Sequence, residues 1–155
     1  MNRIRTILLS FFAVTMLISC DKGDKTPVVE YLDVNPNNIS GTWRLSKLNG
    51  EDPLEGTYVY LDIVRKDKTY TLYQNLDSFQ NVPHVITGSY FIETDPQIGA
   101  IIRGNYDHDA GDWSHRYIIR ELTEDSMVWI AKDEVSEVQK FVRVDTIPED
   151  IKGAE

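Results

Sequence analysis

The 155-residue sequence contains a single cysteine, Cys20, so no disulfide can form within the chain. Basic residues are also in short supply, because 16 Lys+Arg stand against 25 Asp+Glu, which gives a formal net charge of -9. An acidic surface repels phosphate groups, and this predicts that the protein does not bind nucleic acid. With 41% hydrophobic residues, the chain is still able to bury the core of one domain.

Residues for catalysis are scarce as well. Only three histidines are present, His84, His108 and His115, and none lies in a recognisable nucleophile motif. Glycine loops that bind phosphate are absent. A pair of carboxylates acting on a glycoside stays open as an alternative, because among 25 acids some pair is always close, yet no pair stands out by its context. The sequence therefore predicts no catalytic residue, no cofactor and a protein that is not an enzyme.

A metal site is the other chemistry to consider, in the polar stretch 105–115. A calcium loop counted from Asp107 needs an oxygen ligand at its fifth position, glycine at its sixth and glutamate at its twelfth, where this chain has glycine, aspartate and isoleucine. His108 and His115 with an aspartate match the spacing of no standard zinc site. We therefore expect a solvated hairpin tip without a metal.

The first 19 residues are predicted to be an export signal that is removed. Arg3 and Arg5 form a short basic start, and an apolar run follows from Ile7 to Ile18. This run is shorter than the roughly 20 residues that a membrane-spanning helix needs, so it is interpreted as a secretory signal rather than a transmembrane anchor.

The end of this segment, Leu17-Ile18-Ser19-Cys20, resembles the lipobox of bacterial lipoproteins. An aliphatic residue stands three positions before the cysteine, and a small residue stands directly before it. The resemblance implies cleavage before Cys20, attachment of lipid to its sulfur, and a membrane as the partner, since two or three acyl chains make a stable anchor. The alternative is an ordinary secretory leader with an incidental cysteine, or an uncleaved anchor.

Residues 20–38 are expected to form a flexible tether, because they are rich in charge, proline, glycine and asparagine. Asp21 and Asp24 resemble the charged surface-export signals of Bacteroidetes lipoproteins. This resemblance implies a lipid-anchored protein of the cell envelope, at the outer membrane, on its periplasmic or its surface-exposed face. In enterobacteria an aspartate directly after the cysteine would instead favour retention at the inner membrane.

From Ile39 onward the sequence predicts an all-β domain. Hydrophobic residues alternate with a period of two, turn residues interrupt the pattern at short intervals, and no long stretch has helical periodicity. Gly88 and Gly104 lie within predicted strands, where a glycine often marks a bulge or a tight bend. The predicted strands span residues 41–47, 58–64, 69–74, 85–93, 98–105, 113–122, 127–132 and 137–145.

Eight short strands joined mostly by hairpin turns predict an antiparallel up-and-down meander. A meander of this length hides its edges by closing into a barrel, which we expect over residues 39–147, with a helix-poor tail at 148–155. The interior of an eight-stranded barrel is either filled by side chains or just wide enough for one small ligand.

The start of the first predicted strand, Gly41-Thr42-Trp43, resembles the Gly-x-Trp opening of lipocalins. Stretches between residues 117 and 143 are similar to the end of the lipocalin-like domains common in Bacteroidetes lipoproteins. The resemblance implies an eight-stranded lipocalin-like barrel over about residues 39–145. It also implies that Trp43 plugs the closed end of the barrel and that Arg143 packs over this tryptophan.

Aromatic side chains that point into the barrel are the candidate ligand-binding residues, with tyrosine hydroxyls to orient a polar group. The alternative is that they only build the core and its flanks, because aromatic residues favour strands in any case. We expect an envelope lipoprotein that binds a small apolar or amphiphilic ligand. The alternative is a filled barrel that docks onto another envelope protein or a glycan-uptake complex. The candidate residues are Tyr58, Tyr60, Tyr70, Tyr90, Trp113, Tyr117 and Trp129.

Overall fold

The computed structural model describes residues 28–76 and 82–153, so the predicted export signal and Cys20 lie outside the described residues. The strands are β1 Gly41–Leu48, β2 Val59–Val64, β3 Thr69–Gln74, β4 His84–Asp95, β5 Gly99–Tyr106, β6 Tyr117–Arg120, β7 Ser126–Ala131 and β8 Val138–Arg143, with short helices α1 Pro36–Ile39 and α2 Glu149–Lys152. All eight strands follow one another in antiparallel pairs, and β8 pairs with β1 to close a barrel. The predicted all-β class and up-and-down order are confirmed. Among the described residues no helix is long and apolar enough to cross a membrane.

The predicted strand bounds agree with the structure to within two residues, except in β6. This strand is predicted over 113–122 but begins only at Tyr117. Asp112 makes an isolated bridge to β5, and the backbone N–H of Trp113 donates to the Gly104 carbonyl at 2.9 Å. Between Trp113 and Tyr117 the chain makes no regular strand pairing, so β6 begins late. The strand ends at Arg120, because the next residue, Glu121, has a φ of 50°, which is incompatible with an extended chain.

Gly88 and Gly104 mark close approaches of the chain to itself rather than bulges. The register between β3 and β4 continues without a shift past Gly88, and the register between β4 and β5 continues without a shift past Gly104. A Cβ atom on Gly88 would lie 1.9 Å from the backbone oxygen of Asn105, and one on Gly104 would lie 2.4 Å from the indole of Trp113. A register shift is found in β1 instead, over residues 45–47. Glycine is therefore required at both positions by packing.

The barrel has a closed end and an open end, which we call the mouth. The closed end carries α1 and the turns at 65–68, 96–98 and 121–125. It is packed solid, because Ile39 and Trp43 are both 0% exposed there. The mouth carries the connections β1–β2, β5–β6 and β7–β8, and β3 ends and β4 begins there.

The described part of the expected tether, residues 28–38, is docked on the closed end. Leu32 donates its backbone N–H to the carbonyl of Leu122 at 2.7 Å, and Leu32 and Val34 pack against the core. α1 begins after Asn35, whose side-chain oxygen accepts two backbone N–H groups of the first turn. The composition suggested a flexible linker because asparagine and proline disfavour helices and strands alike, but here they cap and start a helix.

The C-terminal segment also differs from the expected helix-poor tail. α2 begins after Pro148, with Glu149 and Asp150 in its first turn and Lys152 in its last. Charges placed in this order favour a helix, because they complement its dipole. Ile147, the expected last residue of the barrel domain, is 4% exposed and belongs to the packed part of the molecule.

Candidate functional site

A cavity of about 360 Å³ opens at the mouth of the barrel. Aliphatic side chains of the first three strands form part of its wall, including Leu45, Leu61 and Leu72. Aromatic side chains form another part, and polar groups such as Gln74 and Gln139 stand near the opening. A mainly apolar wall with a few polar groups is typical of small-molecule sites, whose volumes are roughly 300–1,000 Å³.

The aromatic part of the wall is a connected cluster of rings. The ring of Trp129 lies 5.9 Å from that of Trp113 and 5.4 Å from that of Tyr117, measured between centroids. Trp113 meets Tyr70 edge-on at 5.0 Å, and its indole N–H donates to the Tyr70 hydroxyl at 2.7 Å. Because Gly104 has no side chain, the indole of Trp113 lies directly against β5. Each ring is held by its neighbours, so this wall is formed before any ligand arrives.

Polar and acidic side chains surround His115 at the mouth. Its Nδ1 lies 2.9 Å from Oδ1 of Asp133, and its Nε2 lies 3.6 Å from Oε2 of Glu137. The hydrogen bond between His115 and Asp133 raises the pKa of the histidine and lowers the pKa of the aspartate. The Tyr117 hydroxyl donates to Glu137 at 3.1 Å. Burial, and then the charge of Glu137, raise the pKa of Tyr117, so this hydroxyl stays protonated and acts as a donor.

Four of the predicted ligand-binding residues line the cavity together, namely Tyr70, Trp113, Tyr117 and Trp129. They come from β3, β6, β7 and the connection before β6, so the closure of the barrel brings them to one place.

Tyr58, Tyr60 and Tyr90 do not line the cavity. In β2, Val59 and Leu61 are 7% and 3% exposed and face the interior, so Tyr60 at the alternate position faces outward. Tyr58 lies just before this strand, with its ring centroid 6.2 Å from that of Tyr60. The predicted interior position of these two residues is therefore wrong. Tyr90 does face inward, but it is packed in the core at 1% exposure.

Arg143 packs over Trp43 at the closed end, as the sequence resemblance implies. Its guanidinium carbon lies 4.0 Å from the centroid of the tryptophan ring. The guanidinium also donates to the carbonyls of Ser40 at 2.7 Å and Asn38 at 3.0 Å. The indole N–H of Trp43 donates to the carbonyl of Ile39 at 2.9 Å. The two guanidinium bonds tie β8 to the segment that leads into β1, and the indole bond ties β1 to α1.

The leucines of the cavity wall and the polar groups of the mouth were not predicted from the sequence. Alternation places Leu45 on the inner face of β1, but it does not distinguish a core residue from one that lines a cavity. Glu137 and Gln139 occupy every second position before the buried Phe141, so they point to the inner side of β8. This alternation is the sequence pattern that could have predicted them at the mouth. His115 and His108 were expected together on a solvated tip. The structure leaves His108 there, exposed at φ 62°, and places His115 at the mouth.

The cavity, its aromatic wall and its polar mouth are the features that bear on function. No protein family, curated protein or solved structure matches this chain.

Proposed function

We propose that the protein is an envelope lipoprotein, anchored through lipid on Cys20 at the outer membrane, whose lipocalin-like barrel binds a small apolar or amphiphilic molecule. The observation that carries this proposal is the cavity of about 360 Å³, which opens at the mouth between leucine and aromatic side chains. Removal of apolar ligand surface from water is favourable by about 25 cal/mol per Å², so such a wall is suited to an apolar body.

The placement of the polar groups favours an amphiphile over a purely apolar ligand. The apolar part would lie between the leucines and the rings, while Gln139 and the hydroxyl of Tyr117 would meet a polar group near the opening. Asp133 and Glu137 stand at the same opening and make it acidic. A negatively charged group is disfavoured beside them, so we expect the polar part of the ligand to be neutral or cationic.

The test is to purify the full-length protein from its native membrane and to identify by mass spectrometry what co-purifies with it. Leu72→Trp adds an indole to the cavity wall and is expected to exclude the ligand. Leu54→Trp is the matched control, because it makes the same change at a loop position that is 78% exposed. We expect one small molecule on the wild type and on Leu54→Trp, and its loss from Leu72→Trp.

Two outcomes would contradict the proposed ligand binding. A small molecule that Leu72→Trp retains at the wild-type level binds elsewhere on the protein. A partner protein that co-purifies with all three forms, with no small molecule on the wild type, would favour an interaction module.

The lipid anchor has a separate test in cells labelled with a fatty-acid analogue. We expect the wild type to carry the label and Cys20→Ala to lack it. Equal labelling of both forms would overturn the assignment of Cys20.

A further inference from the structure

His115, Glu134 and Glu137 bring one imidazole and two carboxylates together at the mouth. One ligand atom from each residue lies within 4.8 Å of the other two. His115 comes from the β5–β6 connection, and the two glutamates come from the β7–β8 connection. The cluster is therefore created by the fold, at a point where two loops meet.

The hydrogen bonds of His115 and Glu137 use one nitrogen and one carboxylate oxygen. The remaining nitrogen and oxygen, which are the atoms that would bind a metal, face each other. Asp133 engages Nδ1 of His115 at 2.9 Å, and Nε2 is left 3.6 Å from Oε2 of Glu137. The other carboxylate oxygen of Glu137, Oε1, accepts from the hydroxyl of Tyr117 at 3.1 Å and from the amide of Gln139 at 2.9 Å. A carboxylate on the far nitrogen of a ligand histidine is usual in metal sites, because it fixes the ring and raises its basicity.

The spacing of the two facing atoms fits a tetrahedral cation. Bonds of about 2.0–2.2 Å from zinc to nitrogen or oxygen place neighbouring ligands about 3.4 Å apart. The distance between Nε2 of His115 and Oε2 of Glu137 is 3.6 Å. Glu134 is exposed, so rotation of its side chain is able to bring its carboxylate closer. One imidazole and two carboxylates form a donor set suited to zinc.

We propose that His115, Glu134 and Glu137 bind a zinc ion at the mouth, with water in the fourth position and with Asp133 as the positioning residue. The ion ties the β5–β6 connection to the β7–β8 connection. Because His115 also lines the cavity, the ion lies beside its opening. This site depends on neither the identity of the cavity ligand nor the lipid anchor. The bound ion would neutralise the two glutamates, so the preference for a neutral or cationic polar group applies to the protein without zinc.

Calorimetric titration of zinc chloride into chelator-treated, detergent-solubilised full-length protein tests the site. We expect one ion to bind per wild-type chain and to raise its Tm. His115→Gln is expected to weaken binding by at least tenfold, and Asp133→Asn by about 10–100-fold through the orientation of the histidine. His108→Gln is the matched control, because it removes the exposed histidine of the same connection, and we expect wild-type affinity.

A cobalt(II) titration gives a readout of the ligands themselves. We expect the visible absorption of tetrahedral nitrogen and oxygen ligation with the wild type and with His108→Gln, and none with His115→Gln. Circular dichroism shows whether each variant is folded, and Asp133→Asn serves as the deciding variant if His115→Gln is not. Absence of zinc binding by the wild type would overturn the proposal. Unchanged binding by the deciding variant would also overturn it, because the ion would then lie on other carboxylates.

Discussion

We expect Tyr90→Phe to raise the free energy of unfolding and Tyr70→Phe to lower it, although each substitution removes one hydroxyl. The Tyr90 hydroxyl is buried and has no hydrogen-bond partner among the described residues. The Tyr70 hydroxyl accepts from the indole of Trp113 at 2.7 Å and donates to the carbonyl of Asn105 at 3.3 Å. The two tyrosines therefore differ in what their hydroxyls contribute to the folded state.

The size of each effect follows from these contacts. A buried polar group without a partner costs about 1–3 kcal/mol. The small space left by the lost oxygen offsets roughly 0.3 kcal/mol of the gain, so Tyr90→Phe should stabilise the protein by about 1 kcal/mol. Tyr70→Phe leaves the indole N–H without its acceptor and should cost about 1–3 kcal/mol. The variants then differ by about 2–4 kcal/mol, or about 6–12 °C in Tm.

Urea unfolding followed by tryptophan fluorescence measures both variants against the wild type. An unchanged dependence of the free energy on urea concentration shows that the same surface is exposed on unfolding in each case. If Tyr90→Phe lowers stability as much as Tyr70→Phe does, the Tyr90 hydroxyl makes a favourable bond in the folded protein. That result would contradict a Tyr90 hydroxyl without a hydrogen-bond partner.

Three further predictions concern the closed end, the aromatic wall and a turn. Arg143→Ala should lower the free energy of unfolding by about 3 kcal/mol, as measured by urea denaturation. Arg143→Lys should lower it by about half as much, because lysine keeps the positive charge over Trp43 but lacks the branched donor group of arginine. Gly104→Ala should displace the indole of Trp113, since its Cβ would lie 2.4 Å from that ring; a red-shifted tryptophan emission checks this, and an unchanged spectrum contradicts it. Backbone N–H groups lower the pKa of Asp95. Its contribution to stability is therefore present above the ordinary aspartate pKa of about 3.9 and lost as pH falls through the lower folded-state pKa. Asp95→Ala should accordingly melt below the wild type at pH 7 and together with it in strong acid, as thermal scans across pH will show.

The barrel was predictable because its strands are encoded locally. Val59, Leu61 and Ile63 alternate with polar or amphipathic residues in β2, and the pleat of a strand turns such alternation into one buried face. Short turn sequences between such runs leave few topologies other than a meander. The same alternation places Tyr60 on the outer face of β2, because Leu61 lies on the inner face. The prediction that Tyr60 points into the barrel did not take this alternation into account.

The cavity and its mouth were less predictable because they depend on residues that are distant in sequence. Trp113 reaches Tyr70, which lies 43 positions earlier, and it does so only because Gly104 leaves room for the indole. His115 meets Glu137 only after β6, β7 and the connection between β7 and β8 have folded back. A local sequence pattern therefore predicts neither the contact between Trp113 and Tyr70 nor the contact between His115 and Glu137.

The docking of Leu32 and α1 on the closed end gives the molecule a direction. The chain enters the barrel at one end, and the cavity opens at the other. With the lipid anchor proposed on Cys20, we expect the closed end to face the bilayer and the opening to face water. In that arrangement we expect a ligand to exchange with the aqueous phase or with a second protein rather than with the bilayer.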